Sequence, residues 1–278
     1  MRPLVDLVDT HLHLDDARFE ADRGAVLERA YQAGVRDVIT CGSDLASSEA
    51  NLALARRFSE RGEEPPDPAT ACSSPARVWV AVGIHPHEAG RVADLEEAAR
   101  RIETLAAAPQ VVAIGEIGLD YHYRFAPPGV QQAVFERQLA LAQALGKPAI
   151  IHAREAERQV LDTLARYPGV RGVLHAFAGT AEQAREALDL GWYLGIGGML
   201  TFPSARQVRE VASSVPIERV LLETDAPYLA PVPHRGKRNE PAYVPVIARA
   251  LAELRGLEAW AVAASTTAAA AALFGIPR

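Results

Sequence analysis

The chain has only two cysteines, Cys41 and Cys72, in 278 residues, and this scarcity excludes a fold held together by a network of disulfides. Two free thiols are typical of a protein in a reducing compartment. An acidic residue at position 6 argues against a secretory signal peptide, so we expect a cytoplasmic protein. No apolar run approaches the roughly 18 residues that a membrane-spanning helix requires, and we expect no membrane contact.

The chain also lacks an excess of basic residues. It has 29 Lys and Arg residues and 35 Asp and Glu residues, which gives a formal net charge of −6. Proteins that bind long duplex DNA without regard to sequence normally carry a basic surface, so this class is disfavoured. A polyanionic substrate held at one point is compatible with the charge, because divalent cations would supply the local positive charge.

Short apolar runs alternate along the chain with longer stretches of helical spacing. Eight runs are predicted as strands: Leu4–Thr10, Val35–Cys41, Val78–Ile84, Val111–Ile117, Pro148–His152, Val170–His175, Trp192–Ile196 and Arg219–Glu223. Mostly unbroken runs are typical of a parallel sheet covered on both faces. With about eight helices between them, they predict a (β/α)8 TIM barrel that forms a single domain over residues 1–278. A doubly wound open sheet is the alternative, because the sequence does not show closure.

Two segments depart from this alternation. Gly62–Arg77 is rich in proline and small polar residues and precedes the third strand, so we expect a surface insertion at the amino-terminal face without a chemical role. The alanine-rich end of the chain, residues 257–278, is predicted to be a C-terminal helix that packs on the outside of the barrel.

Five of the predicted strands end in side chains of the kinds that bind metal ions. These side chains are His11, His13, Glu116, His152, His175 and Asp225. One buried histidine is more often a core residue than a ligand. However, the carboxyl ends of parallel strands meet at one face of a barrel, so this recurrence predicts a metal site.

The spacing of these residues favours two cations rather than one. His11 and His13 are two residues apart, so in a strand both side chains point to the same face, although a turn-capping pair of surface histidines is the alternative. Glu116 could bridge two cations through its two oxygens, unless the surrounding glycines make it an exposed turn. We expect one site from His11, His13, Glu116 and Asp225, and a second from His152, His175 and Glu116.

Mixed nitrogen and oxygen ligands do not identify the metal, which could be zinc, manganese, magnesium, iron or cobalt. Two cations about 4 Å apart would suit displacement at phosphorus or at an acyl carbon by an activated water. Asp225 could both bind a metal and accept the proton of that water. An ion pair with an arginine is the alternative for Asp225, and Glu223 shares its strand face.

A basic loop follows the last predicted strand. Arg235, Lys237 and Arg238 are flanked by proline and glycine, and Arg154 follows His152. A guanidinium can bind a phosphate through two hydrogen bonds. We therefore expect these four cations to contact the substrate, with a solvated basic loop as the alternative.

Five motifs resemble the TatD-type metal-dependent deoxyribonucleases of the amidohydrolase superfamily. They are Asp-Thr-His-Leu-His-Leu (9–14), Gly-Ile-His-Pro-His (83–87), Gly-Glu-Ile-Gly-Leu-Asp-Tyr (115–121), Glu-Thr-Asp-Ala-Pro-Tyr-Leu (223–229) and Arg-Gly-Lys-Arg-Asn-Glu-Pro (235–241). The resemblance covers nearly the whole chain. It implies a (β/α)8 barrel with a two-metal site on the same six ligand positions, and it implies that His85 lines the pocket.

The chain departs from the family pattern at a few positions. The family usually has Cys and Ser after its second strand-end histidine, where this chain has Ala176 and Ala178. Arg124 replaces a commonly acidic residue. These changes leave the ligands intact, but they affect groups that could tune metal affinity or substrate preference.

The favoured hypothesis is a two-metal deoxyribonuclease that cleaves DNA from a free end, on single strands or strand ends. The catalytic residues would be Asp225, Glu116 and His85. The alternative is hydrolysis of an acyl substrate, including aminoacyl-tRNA deacylation, because one fold supports several chemistries. A metal-binding scaffold without catalysis is disfavoured, since all six ligand types are present. A monomer is expected.

Overall fold

The computed structural model describes residue 4, residues 6–60 and residues 75–277. Eight parallel strands form one sheet in chain order. The strands are β1 (Leu7–Leu12), β2 (Val35–Cys41), β3 (Arg77–Val82), β4 (Val111–Asp120), β5 (Ala149–Arg154), β6 (Gly172–Leu174), β7 (Tyr193–Ile196) and β8 (Val220–Leu222). Neighbouring strands pair from β1 through to β8, so the predicted (β/α)8 barrel is confirmed.

The barrel closes at a seam between β8 and β1, mainly through backbone hydrogen bonds of the residues that follow β8. The amide of Asp225 donates to the carbonyl of His11 at 2.9 Å, and the amide of His13 donates to the carbonyl of Ala226 at 2.8 Å. Below these bonds the buried Asp9 carboxylate accepts hydrogen bonds from the amide and the hydroxyl of Thr224. The seam therefore places two segments that carry predicted ligands side by side.

Helices alternate with the strands and cover the outside of the barrel. They are α1 (Arg23–Gln32), α2 (Leu45–Glu60), α3 (Leu95–Ala106), α4 (Pro128–Leu145), α5 (Glu157–Leu164), α6 (Ala181–Asp189), α7 (Arg206–Ser214), α8 (Val244–Arg255) and α9 (Ala259–Phe274). The local sequence explains where several helices begin or end. Thr180 and Gln183 form a capping box at the start of α6, and Gly146, at φ 63°, ends α4 in the left-handed conformation.

The apolar residues form two buried clusters on opposite faces of the strands. The larger cluster lies between strands and helices, while the smaller one gathers inward-facing residues such as Val8, Ile39 and Leu221. Phe274 of α9 belongs to this inner cluster, and Arg77, at the start of β3, donates to the carbonyl of Pro277 at 3.1 Å. The sequence predicts that this helix packs on the outside of the barrel, and the structure adds that its last turns close the amino-terminal end.

Two further expectations concern the insertion Gly62–Arg77 and the absence of membrane-spanning helices. Within the expected insertion Gly62–Arg77, residues 62–74 lie outside the described residues, and Arg77 begins β3. Among the described residues, no single helix combines the length and apolar content needed to cross a membrane. One pair of helical segments, Pro241–Arg255 and Ala259–Phe274, reaches that threshold only when taken together, and it is bent by 114° at its break.

Candidate metal centre

The carboxyl end of the barrel opens into a cavity of about 570 Å³ lined by ionisable side chains. Five of the six predicted ligands line it, and they are His13, Glu116, His152, His175 and Asp225. The sixth, His11, is fully buried at the seam beneath the cavity. The structure thus brings together six residues that span more than 200 positions of the sequence.

Glu116 lies at the centre of this group, and its two oxygens face different imidazoles. Its Oε2 lies 3.3 Å from His11 Nε2 and 3.7 Å from His13 Nε2. Its Oε1 lies 2.8 Å from His152 Nδ1 and 3.3 Å from His175 Nε2. This division is the one expected of a carboxylate that bridges two cations.

Asp225 adds a second carboxylate on the His11 side. Its Oδ1 lies 3.5 Å from His13 Nε2 and 3.8 Å from His11 Nε2. Asp225 has a left-handed backbone at φ 57°, a conformation that a non-glycine residue adopts at some energetic cost. The hydrogen bond of its amide to His11 holds it there.

Three sets of side chains present ligand atoms close enough to share one metal ion. The sets are His11, His175 and Asp225; His11, His13 and Glu116; and His85, Glu116 and His152. His85 was expected only to line the pocket. Its Nε2 lies 3.5 Å from Glu116 Oε1, so the structure adds it to the candidate metal donors.

The residues present fit a metal ion. His11 Nε2 is buried and has no hydrogen-bond partner among the described residues, although carboxylate oxygens of Glu116 and Asp225 lie within 3.8 Å of it. A buried imidazole nitrogen without a partner is costly. A divalent cation between the imidazole and the carboxylates would satisfy all of these groups with ligand types suited to zinc, manganese or iron.

The candidate ligand histidines also contact a protein group through the nitrogen that faces away from Glu116. Among these contacts, His11 Nδ1 lies 3.4 Å from Cys41 Sγ, His13 Nδ1 lies 3.3 Å from the carbonyl of Cys41, and His152 Nε2 lies 3.1 Å from Asp120 Oδ2. Such contacts fix the orientation of the ring and tune its metal affinity.

Two carboxylates to which the sequence assigned no role contact these histidines. Glu223, fully buried, lies 3.3 Å from His175 Nδ1 and accepts a hydrogen bond from the amide of Ala176. A side chain at Gly195 would clash with Glu223, so glycine makes room for it. Asp120 ends β4, on the strand of Glu116 and four residues after it. This even spacing within a strand was a signal that could have identified Asp120.

The carboxylates and imidazoles of the centre shift one another's pKa values. Burial would raise the pKa of Glu116, but the ring of imidazoles around it, in which His175 carries a positive charge, holds it well below its usual range. Burial would lower the pKa of His13, but Asp225 and Glu116 raise it to about 9. At neutral pH Glu116 is therefore ionised, and His13 carries a proton that a cation would displace.

The other imidazoles of the centre divide into two kinds. The pKa values of His152 and His175 are raised despite burial, with Asp120 and Glu116 acting on His152 and with Glu116 and Glu223 acting on His175, whereas His85 and His11 stay neutral. Burial is the main cause that lowers the pKa of His85, to about 4, and it also lowers that of His11. For Asp225, burial favours the protonated form, but the hydrogen bond with His13 and the other imidazoles outweigh it and lower its pKa. A neutral His85 can donate a hydrogen bond or bind a cation, and the Asp225 carboxylate can accept a proton.

The predicted phosphate-binding cations occupy two different environments. Arg154 lines the cavity and lies over the ring of Tyr123 at 4.7 Å. Arg235, Lys237 and Arg238 do not line it. Arg235 lies 3.8 Å from the centre of the Phe202 ring, and Arg238 forms an ion pair at 2.7 Å with Asp22 of the segment before α1.

The sequence as a whole matches the family described as TatD related DNase, over residues 8–63 and 67–275. The chain belongs to this family. The resemblance seen in the motifs is thereby confirmed, and it extends from the individual motifs to nearly the whole barrel.

Named relatives in the TatD related DNase family cover this chain almost completely. The uncharacterized metal-dependent hydrolase YabD of Bacillus subtilis is 37% identical over 273 residues, which are 97% of this chain and 99% of the relative. The 3′-5′ ssDNA/RNA exonuclease TatD of Enterobacter lignolyticus is 37% identical over 279 residues, with 97% and 99% covered. The crystal structure of YJJV, a TatD homologue of Escherichia coli K12, superposes with a TM-score of 0.86 at 30% identity, covering 98% of this chain and 99% of that one.

Proposed function

We propose that this chain is a two-metal phosphodiesterase that removes nucleotides from a free end of single-stranded DNA. The observation that carries the proposal is the position of Glu116, whose two oxygens each face a separate pair of imidazoles at the floor of an open cavity. His11, His13 and Asp225 would hold one cation. His152, His175 and the other oxygen of Glu116 would hold the second.

Divalent cations bound there would polarise a phosphoryl oxygen and make the attacking water more acidic. Asp225 lines the cavity as an ionised carboxylate, so it accepts the proton of that water. Its left-handed backbone and its bond to His11 fix the position from which it does so. Glu116 orders the imidazoles around it, and neutral His85 donates a hydrogen bond to the substrate or adds a metal donor.

Two kinds of observation support a nucleic-acid substrate over an acyl substrate. Relatives that share 37% of their residues with this chain are named 3′-5′ ssDNA/RNA exonucleases. Arg154 lines the cavity as a cation, within reach of a phosphate near the metal centre. Arg235 and Lys237 lie outside the cavity, so a phosphate contact there involves nucleotides farther along the strand. The monomeric state and the cytoplasmic location stay predictions.

The test uses the purified chain, stripped of metal by a chelator and then supplied separately with manganese, zinc or magnesium. End-labelled single-stranded DNA with an open or a chemically blocked 3′ end is the substrate, with RNA, duplex DNA and an acyl ester in parallel. We expect stepwise shortening of the open single strand with at least one metal and none with the chelator. Blocking the end should slow the reaction strongly.

Glu116→Gln and the matched surface variant Glu103→Gln on α3 complete the design. Glu103 is exposed, so its variant should cleave like the parent, while Glu116→Gln should not. Cleavage of the acyl ester alone would replace the proposal by its amidohydrolase alternative. No hydrolysis of any substrate under any metal would contradict both.

A further inference from the structure

Exposed aromatic rings stand at the mouth of the cavity, on two of its sides. Among the described residues, the strongly exposed aromatic side chains are Tyr123 (48%), Phe125 (66%), Tyr228 (48%) and Trp260 (46%). Tyr123 and Tyr228 line the cavity, and Phe125 stacks on Tyr123 with parallel rings whose centres are 5.5 Å apart. Exposed apolar surface gathered at one place marks a binding surface.

Each tyrosine carries an arginine over its ring. The guanidinium carbon of Arg154 lies 4.7 Å from the centre of the Tyr123 ring, and that of Arg18 lies 4.2 Å from the centre of the Tyr228 ring. Arg18 is also bound to Asp16, whereas Arg154 forms no ion pair within the described part of the chain. An arginine that stacks on an aromatic ring keeps N–H donors for a phosphate.

The backbone connects both aromatic groups to the candidate metal ligands. The amide of Tyr123 donates at 2.9 Å to Asp120, whose other oxygen lies 3.1 Å from His152. On the opposite side, the amide of Tyr228 donates at 2.8 Å to the carbonyl of Asp225, and the Tyr228 ring packs edge-on against His13. Both groups are thus held at fixed positions beside the centre.

The aromatic rings and arginines at the mouth of the cavity favour unpaired nucleobases over other ligands. Nucleobases stack on aromatic rings whatever their sequence, and a neighbouring arginine binds the adjoining phosphate. Duplex DNA hides the faces of its bases, and an acyl group small enough for the cavity would not need rings on its rim. We propose that the stacked pair Tyr123–Phe125 and the opposite Tyr228 are stacking platforms for unpaired bases on either side of the scissile phosphodiester, with Arg154 binding the adjoining phosphate. This inference rests on the proposed function.

The test measures binding without catalysis, in the presence of a chelator. A short single strand carries a fluorescent purine analogue near its 3′ end, whose emission falls when it stacks. We expect emission to fall on binding and the affinity to weaken about 5- to 150-fold in Tyr123→Leu or Tyr228→Leu, the range for the loss of one stacked base. Tyr123→Phe keeps the ring and should retain most of the affinity.

An abasic strand provides the matching change on the substrate. Removing the terminal bases should weaken binding to the unchanged protein by a similar factor, and Tyr123→Leu should then add little, because both changes remove the same interaction. Trp260→Leu, an exposed aromatic on α9, is the control and should leave the affinity unchanged.

The outcomes separate this inference from the proposed function. If the chain cleaves single strands but neither abasic ends nor the tyrosine variants alter binding, the platforms are refuted and the nuclease assignment stands. An equal loss in Trp260→Leu would also refute them. If no nucleic acid is cleaved under any metal, yet binding depends on the bases and on both tyrosines, the platforms stand and the catalytic assignment fails.

Discussion

The two ends of the barrel interior are built from opposite kinds of side chains. At the amino-terminal end, Val8, Ile39 and Leu221 pack with Phe274 of α9 in an apolar cluster. At the carboxyl end, carboxylates such as Glu116 and imidazoles such as His11 occupy the space between the same strands. The barrel thus separates the residues that stabilise the fold from the residues that carry its chemistry, along its axis. Substitutions at each end should therefore have different consequences.

The largest effect is expected at the carboxyl end. Asp225→Asn keeps the shape of the side chain but removes the carboxylate that accepts a proton, so hydrolysis should slow by about 10²–10⁴-fold. The thermal midpoint should change little, because Asp225 is not part of the apolar cluster. Rates measured at saturating metal check this, with Asp162→Asn on the exposed side of α5 as the control. A rate within a few-fold of the parent would place the proton acceptor elsewhere.

The reverse pattern is expected at the amino-terminal end. Phe274 is 5% exposed, and Phe274→Ala leaves a cavity where α9 closes the barrel. We expect a loss of about 3–5 kcal/mol in the free energy of unfolding, measured by denaturant titration. Metal binding and turnover below the unfolding transition should be nearly unchanged. Leu257→Ala, at an exposed position, should be neutral. A large loss of activity with little loss of stability would contradict the separation.

A smaller effect at the carboxyl end is expected for Glu223→Gln. The amide oxygen still accepts the hydrogen bond of Ala176, but the charge beside His175 Nδ1 is lost. Metal affinity should fall by about 10–100-fold, the usual cost of losing such a support. Calorimetric titration with manganese measures it, with Glu253→Gln on the surface of α8 as the control. Unchanged affinity would show that Glu223 does not support the ligand.

The smallest effect is expected in the loop after β8. Arg238 forms an ion pair with Asp22, so the variant that leaves this pair intact changes only Arg235 and Lys237 to Gln. Because both lie outside the cavity, KM for a dinucleotide should not change. For a longer strand, KM should rise modestly, and the slope of its salt dependence should weaken by about 0.7 for each phosphate that the variant no longer binds. Equal effects on both substrates would place these cations at the site itself, and no effect on either would leave a solvated loop.

Much of this arrangement could be predicted because its cause is local in the sequence. Apolar runs that end in His, Glu or Asp indicated the strand ends. Because the strands of a closed barrel end at the same face, these side chains come together in one site. His11 and His13 follow from the two-residue period of a strand. The family resemblance, rather than periodicity, indicated His85.

Other features depend on tertiary geometry that spacing does not encode. The spacing of Glu223 and Asp225 predicts that they share a strand face. In the structure, however, the Glu223 carboxylate lies beside His175 Nδ1, whereas the Asp225 carboxylate lines the cavity. The loop after β8 is next to Asp225 in sequence, but Arg238 reaches Asp22 instead of the cavity. The closure of the barrel by α9 was hidden because an alanine-rich helix shows no distinct apolar face.

The number of divalent cations bound per chain tests the two-metal account most directly. Elemental analysis and calorimetric titration should be carried out on the parent chain, on Glu116→Ala and on the surface control Glu103→Ala. The account predicts two cations in the parent and in the control, and at most one in Glu116→Ala, because the two oxygens of Glu116 each face a different pair of imidazoles. Two cations and full activity in Glu116→Ala would contradict it.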